Sequence, residues 1–202
     1  MPAAERRRVG VLGGTFDPIH NGHLVAASDV RFALALDVVL LVVAHRPWQK
    51  QSRVLLDSRE RLAMVEAAVE EVAGLEASAV DIERGGLTFT VDTLADLQDQ
   101  MPDAELFLIV GADVAETLDT WERVEEVQSR CILAVVARPG SGVDATALAG
   151  WRWTAVEAPR LEISSSDIRL RVAEGRPIDF LTHPAVVRRI QERGLYAGPP
   201  TT

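Results

Sequence analysis

Apolar runs of strand length alternate along the chain with stretches in which apolar residues recur every three or four positions. The runs lie at 9–12, 38–43, 75–82, 106–110, 132–137 and 153–156. Continuous apolar runs are typical of strands buried on both faces, and strands separated by helices pair in parallel. The pattern therefore predicts an α/β fold, a Rossmann-like doubly wound parallel sheet with helices on both faces.

Helical periodicity predicts the connecting elements and a helical C-terminal part. The predicted helices are 23–36, a helix through Leu62, Val65, Val69 and Val72 with Asp57 or Ser58 as N-cap, 90–100, 121–130, 165–174 and 184–193. Pro184 at the first helical position and Gly194 just past the end support the last of these. The loop 139–150 is predicted to be mobile, and 198–202 to be a frayed tail. With no linker and no repeat, residues 1–202 are predicted to form one domain, in which about 160–202 are the helical C-terminal part.

Composition and charge limit the classes of protein to which this chain can belong. The chain of 202 residues has 48% hydrophobic and 25% charged residues, the balance of a globular protein with its own core. A net charge of −9 argues against a general binder of nucleic acid or of a membrane surface, because such proteins display a basic footprint. No stretch approaches the roughly 20 apolar residues of a membrane span, so we expect a cytoplasmic protein. A homo-oligomer is compatible with the sequence.

The lone cysteine, Cys131, begins an apolar run. We interpret it as a buried small hydrophobic residue rather than a reactive thiol, and no disulfide can form within the chain.

The first candidate for chemistry is the segment 13–23, GGTFDPIHNGH, here called the first motif. It follows the first strand and leads into the first predicted helix. Glycines let the backbone approach a ligand, and the free N–H groups of a helix start favour an anion. The segment matches neither the GxGxxG fingerprint nor a P-loop, so a different phosphate-binding site is predicted.

His20 and His23 stand around Gly22 at this helix start. Two imidazoles could donate hydrogen bonds to one polyphosphate. Two other interpretations are open from the residues alone: His20 as a helix cap, or a zinc-binding pair. Neither a neighbouring carboxylate nor a third histidine completes a zinc site, which weakens the metal interpretation.

A second polar cluster lies at another predicted helix start, residues 163–169, ISSSDIR, here called the second motif. Its serines, Ser164 to Ser166, could simply cap the helix. Arg169 falls one turn later, where its planar guanidinium could hold a phosphate.

Together the two motifs resemble the nucleotidyltransferase superfamily with GTFDPxHxGH and ISSxxxR signatures, and within it the bacterial nicotinate-nucleotide adenylyltransferases. The resemblance runs from Gly13 to Arg169. It includes Trp48-Gln49-Lys50, the segment 84–94 and Gly111-Ala112-Asp113 followed by Trp121. Thr88-Phe89-Thr90 departs from the Ser-Tyr-Thr common in the family, and 43–50 lacks a proline and a histidine found there.

The resemblance implies transfer of AMP from ATP to nicotinate mononucleotide, with Mg²⁺ accompanying ATP. It implies catalytic roles for His20, His23 and Arg169, and mononucleotide contacts for Lys50, Thr90 and Trp121. The implied ATP contacts are Gly13, Gly14, Thr15, Phe16, His20, His23, Gly111, Asp113, Ser164, Ser165, Ser166 and Arg169. Alternatives are a nicotinamide-mononucleotide or phosphopantetheine adenylyltransferase of the same superfamily, and a non-catalytic nucleotide-binding module.

Overall fold

A single parallel sheet organises the computed structural model, which describes residues 6–47, 56–137, 139–140, 142–159 and 161–197. Its strands are β1 (Arg8–Gly14), β2 (Val38–Val43), β3 (Leu75–Ser78), β4 (Glu105–Gly111), β5 (Ile132–Ala137) and β6 (Trp153–Glu157). They are hydrogen-bonded in the order β3-β2-β1-β4-β5-β6, and every pair is parallel. The predicted doubly wound sheet is confirmed, and the chain order reverses between β1 and β4, where open α/β sheets bind ligands.

Helices connect the strands and continue beyond them. They are α1 (Asn21–Ala33), α2 (Ser58–Val69), α3 (Val80–Arg84), α4 (Thr90–Gln100), α5 (Ala112–Ala115), α6 (Val124–Arg130), α7 (Ser165–Ala173) and α8 (Pro184–Arg193). The last two come after β6 and form the predicted helical C-terminal part. Gly194 ends α8 in the left-handed conformation, as the sequence predicted.

Helices cover both faces of the sheet, so alternate residues of one strand enter different cores. In β2, Val39 and Leu41 pack in the core beneath α1, α2 and α8, whereas Val38 and Leu40 pack in the core beneath α4 and α6. This arrangement explains why the strand reads as a continuous apolar run.

Two element boundaries differ from the prediction. The strand predicted at 75–82 ends at Ser78, and α3 begins at Val80 because Val80 and Asp81 turn into the interior. The helix predicted from 121 begins at Val124, since Trp121 is extended and Arg123 adopts a left-handed conformation with φ 50°.

The buried face of α2 includes Val65 and Val69 as predicted, and Leu62 packs half-buried against the same core. Val72 lies beyond the helix end and is exposed, and the buried face also includes Arg61. The loop 139–150 contains the 3₁₀ turn Ala145–Leu148, whose last side chain is buried, and its mobility stays a prediction. The predicted tail 198–202 lies outside the described residues.

Cys131 is buried, and burial raises the pKa of its thiol to about 12, which confirms its interpretation as a small hydrophobic residue. In the described part of the chain, no helix has the length and apolar character needed to cross a membrane.

Candidate active site

The first motif leaves β1 and enters α1 through a compact turn. Phe16 is left-handed at φ 50°, the Asp17–Pro18 peptide is cis, and His20 is the N-cap of α1. A Cβ atom on Gly14 would lie 2.7 Å from Cζ of Phe16, which explains the glycine. The Phe16 ring is 2% exposed and meets His23 edge-on, with ring centroids 5.0 Å apart. Its side chain therefore supports His23, and the contact of Phe16 with ATP stays a prediction.

The two imidazoles form a stacked pair at the start of α1. Their centroids are 3.7 Å apart and their planes are inclined by 24°. The backbone N–H of His20 donates to Nδ1 of His23 at 3.3 Å. Because Nδ1 accepts this bond, the proton of neutral His23 lies on Nε2, which makes Nε2 a donor.

His20 is the more buried member of the pair, at 8% exposed. Burial lowers its pKa to about 4, so its imidazole is neutral at pH 7. Within the described residues its Nδ1 is buried and has no hydrogen-bond partner. An orphaned buried polar atom is costly, so it is consistent with a ligand-binding position.

A cavity of about 490 Å³ opens beside this pair. We call it the histidine cavity; its lining includes His20, Gly22, His23, Gly111 and Asp113. Asp113 follows β4 as the second residue of α5. A Cβ atom on Gly111 would lie 2.6 Å from the Asp113 carboxylate, so glycine at this position is what lets the aspartate turn back towards the strand end.

A second cavity, of about 260 Å³, lies on the other side of the β1 end. We call it the tryptophan cavity. Among the predicted residues that line it are Gly13, Gly14, Thr15, Thr90, Gly111 and Trp121. Thr90 and Trp121 are thus brought together, as the predicted mononucleotide site requires. Gly13 to Thr15, for which ATP contacts are predicted, also line this cavity, and Gly111 lines both cavities.

The second motif contacts the first directly. Ser164 is the N-cap of α7 and accepts a bond from the Asp167 N–H at 3.0 Å, which bears out its capping interpretation. Ser165 Oγ donates to the Pro18 carbonyl at 2.8 Å, and Arg169 donates to the Asp17 carbonyl at 2.6 Å and to Ser166 Oγ at 3.2 Å. The serines and Arg169 line neither cavity, so their phosphate contacts stay predictions.

The described residues offer no group of three or more His, Cys, Asp or Glu side chains that could hold a metal ion. These residues therefore provide no third ligand that would complete a zinc site with His20 and His23. Lys50, predicted to hold the mononucleotide phosphate, lies outside the described residues together with Trp48 and Gln49.

Comparison with known proteins fits this geometry. A cytidylyltransferase-like family model matches residues 11–171. A protein of Clavibacter michiganensis subsp. michiganensis is 44% identical over 198 residues, covering 98% of each chain, and one of Frankia alni is 47% identical over 187 residues, covering 92% of this chain and 98% of its own. Both carry the name "Probable nicotinate-nucleotide adenylyltransferase". The chain belongs to the nicotinate-nucleotide adenylyltransferase family.

Solved structures agree on the fold of this adenylyltransferase family member. Two structures of nicotinic acid mononucleotide adenylyltransferase from Plasmodium falciparum, one complexed with APC and one with NaAD, superpose with TM-scores of 0.76 and 0.78. Each is 18% identical and covers 94% of this chain and 97% of its own. The chain therefore has the Rossmann-like fold of these enzymes.

Sequence reasoning missed a buried arginine next to the adenylyltransferase motifs. Arg61 is 1% exposed and donates to backbone carbonyls of the segments that come after β1 and β2. The acceptors are the carbonyls of Thr15, Ala44 (2.8 Å), His45 (3.1 Å) and Leu56 (3.2 Å). A charged residue between the apolar positions of α2 was the signal that could have identified it.

A second missed group lies in the tryptophan cavity. The buried carboxylate of Asp81 accepts the Thr93 hydroxyl at 2.7 Å and the Arg84 guanidinium at 2.8 Å. Burial raises the pKa of Asp81, and its two partners oppose that effect. The carboxylate is therefore already paired within the cavity wall.

Proposed function

We propose that the protein is an adenylyltransferase that transfers AMP from ATP to nicotinate mononucleotide, giving deamido-NAD and pyrophosphate in NAD biosynthesis. The observation that carries the proposal is the pair of cavities on either side of the first motif, joined at Gly111. Two substrates bound there would meet at the carboxyl ends of β1 and β4. The family membership supports the same reaction.

In this reaction a phosphate oxygen of the mononucleotide attacks the α-phosphorus of ATP. The new P–O bond forms as the bond to the β-phosphate oxygen breaks, and pyrophosphate carries away the electron pair. The nucleophile is already anionic at neutral pH, so no general base is required. The protein has to align two anions and stabilise the charge that develops between them.

The histidine cavity is the proposed ATP site. His23 would donate through Nε2–H to the phosphates, and neutral His20 would bind them beside it. Asp113 would accept hydrogen bonds from the ribose hydroxyls. Arg169 has five N–H donors, so its bonds to Asp17 and Ser166 leave donors for the β- and γ-phosphates.

The tryptophan cavity is the proposed mononucleotide site. Trp121 would stack on the pyridine ring, and Lys50 would hold the phosphate. Thr90 begins α4 and lines this cavity. The N–H groups and the dipole of a helix start favour an anion, which supports a carboxylate over a carboxamide. Because Asp81 is paired with Arg84, its negative charge repels the substrate carboxylate less strongly.

We assign Mg²⁺ to the phosphates of ATP and not to a cage of side chains. Mg²⁺ characteristically keeps several waters and binds largely through substrate phosphates, which fits the absence of an acidic cluster from the described residues. When bound it neutralises phosphate charge. We expect the enzyme to act in the cytoplasm, with ATP and nicotinate mononucleotide as its small-molecule partners.

The decisive experiment measures pyrophosphate release with ATP and, in parallel, nicotinate mononucleotide, nicotinamide mononucleotide and phosphopantetheine. We expect turnover with nicotinate mononucleotide and deamido-NAD as the product in mass spectrometry. A preference for the amide or for phosphopantetheine would replace this function with another of the superfamily. Binding of ATP with no turnover in any mixture would indicate a non-catalytic module.

A further inference from the structure

Three consecutive backbone carbonyls of the first motif accept hydrogen bonds from side chains of the C-terminal part. The bonds run from Arg169 to the Asp17 carbonyl (2.6 Å), from Ser165 to the Pro18 carbonyl (2.8 Å) and from Thr182 to the Ile19 carbonyl (2.7 Å). Ile19 immediately precedes His20. The path of the turn before the histidine pair is therefore set by residues from the other end of the chain.

The same turn is held at two more positions. Tyr196 donates its hydroxyl proton to the Asp17 carboxylate at 2.6 Å. On the far side of His20, the Asn21 N–H donates to the Leu181 carbonyl at 3.0 Å, and its side-chain amide donates to the Phe180 carbonyl at 2.7 Å. His20 is thus bracketed by bonds to the C-terminal part on both sides.

The bond from Thr182 to Ile19 is buried, and the Asp17 side chain bound by Tyr196 is also shielded from water. Thr182 is 1% exposed and Asp17 is 2% exposed, so solvent cannot readily replace a lost partner. Phe180 and Tyr196 are held in the left-handed region, at φ 63° and 61°. Residues other than glycine rarely adopt that region, and such strain concentrates at functional sites.

Thr182 and Tyr196 line neither the histidine cavity nor the tryptophan cavity. We infer that they are positioning residues for adenylyl transfer, which fix the turn from Asp17 to Asn21 and thereby aim His20 and His23 at the phosphates of ATP. The part of this inference that concerns the reaction rests on the proposed function. The part that concerns the placement of His20 does not.

Steady-state kinetics of Thr182→Val test the first part, because valine keeps the shape and loses the donor. The histidines act on the transition state, and small misplacements at a reacting centre are costly, so we expect kcat to fall by about tenfold or more while both KM values stay within about threefold. Thr182→Ser restores the hydroxyl and should recover most of kcat. Thr146→Val, which removes an exposed hydroxyl bonded to Asp144 outside both cavities, should change nothing.

Histidine titration by NMR tests the second part without any activity. His20 has a pKa of about 4 because it is buried, and a loosened turn would admit water to the ring. In Thr182→Val and in the milder Tyr196→Phe we expect its midpoint to move at least about one unit towards the ordinary value near 6.5. Thr146→Val should leave it unchanged.

An unchanged His20 midpoint in both variants would overturn the inference, as would a Thr182→Ser enzyme as slow as Thr182→Val. If the wild-type chain shows no turnover with nicotinate mononucleotide, the proposed function fails. The titration then still decides whether Thr182 and Tyr196 place His20.

Discussion

Nδ1 of His20 lies 3.1 Å from the position that a Cβ atom on Gly22 would occupy. That separation is tighter than ordinary contact, so a side chain at Gly22 would push the imidazole out of the stacked pair. Alanine is nevertheless the better helix former, by about 0.5–1 kcal/mol. We therefore expect Gly22→Ala to change the free energy of unfolding by less than about 1 kcal/mol and to lower kcat about tenfold. Chemical denaturation gives the free energy of unfolding of Gly22→Ala, and steady-state kinetics on the same preparation give its kcat. Full activity of this variant would show that the His20 imidazole can accommodate the added methyl group.

Two substitutions of His23 should distinguish the contribution of its hydrogen bond to kcat from the contribution of its packing. His23→Ala removes the Nε2 donor and should lower kcat by about 10²- to 10³-fold. His23→Gln keeps an N–H in a similar place and should recover part of that loss. His183→Asn is the matched control, since His183 caps α8 by accepting the Ala185 N–H, lines neither cavity, and asparagine is also a good cap. Near-normal turnover of His23→Ala would remove His23 from the mechanism.

Stability should depend on pH through His20. Its pKa is lowered to about 4 in the folded protein, so between about pH 6.5 and pH 4 the unfolded chain binds more protons than the folded one. Unfolding should become easier as pH falls through this window, by about 2–3 kcal/mol at pH 4.5 relative to pH 7.5. His20→Asn should lack this contribution. Urea titrations of both proteins at the two pH values give the difference, and parallel curves would contradict the low pKa.

The two cavities predict opposite effects on the two substrates. Asp113→Ala should raise KM for ATP about tenfold, through lost hydrogen bonds, and leave KM for nicotinate mononucleotide nearly unchanged. Trp121→Ala should do the reverse, through lost stacking and burial. Both constants are measured for each variant. If Trp121→Ala raises KM for ATP instead, the assignment of substrates to the two cavities is reversed.

Arg61 should be needed chiefly for stability. Arg61→Met leaves four buried or partly buried carbonyls without their donor and removes a positive charge near Asp17, so we expect a loss of about 3–5 kcal/mol. Arg59→Met, two residues away on the exposed face of α2, is the control and should cost less than about 0.5 kcal/mol. A similar result for both variants would mean that solvent satisfies the carbonyls.

The sheet could be predicted because the inner strands β2, β4 and β5 are buried on both faces, which requires a continuous apolar run in the sequence. The predicted boundaries of strands and helices were wrong where tertiary contacts outweigh the local sequence pattern. Asp81 looks like part of a strand, but it is drawn into a bond with Thr93, twelve residues later, and the chain turns into α3. The left-handed residue Arg123, which delays α6, has no signature that separates it from a helical arginine.

The candidate site was predictable where it consists of side chains of unusual type and spacing, such as His20, Gly22 and His23. It was not predictable where a side chain binds a backbone carbonyl. Thr182 and Tyr196 are residues of common type in the segments just before and just after α8, and every residue offers a carbonyl. Nothing in their identity or spacing indicates that Ile19 and Asp17 are their partners.

The carbonyls of Asp17, Pro18 and Ile19 are held by residues 147 to 163 positions later in the chain. A ribosome makes the first motif before it makes these partners. During synthesis, β1 and α1 can associate with β2 and α2 as those elements emerge. The turn from Asp17 to Asn21 still lacks its hydrogen-bond donors at that stage. A nascent chain that has not yet released Thr182 and Tyr196 would therefore carry both histidines on a turn without these hydrogen bonds, and we expect it to bind ATP more weakly than a chain that has released them.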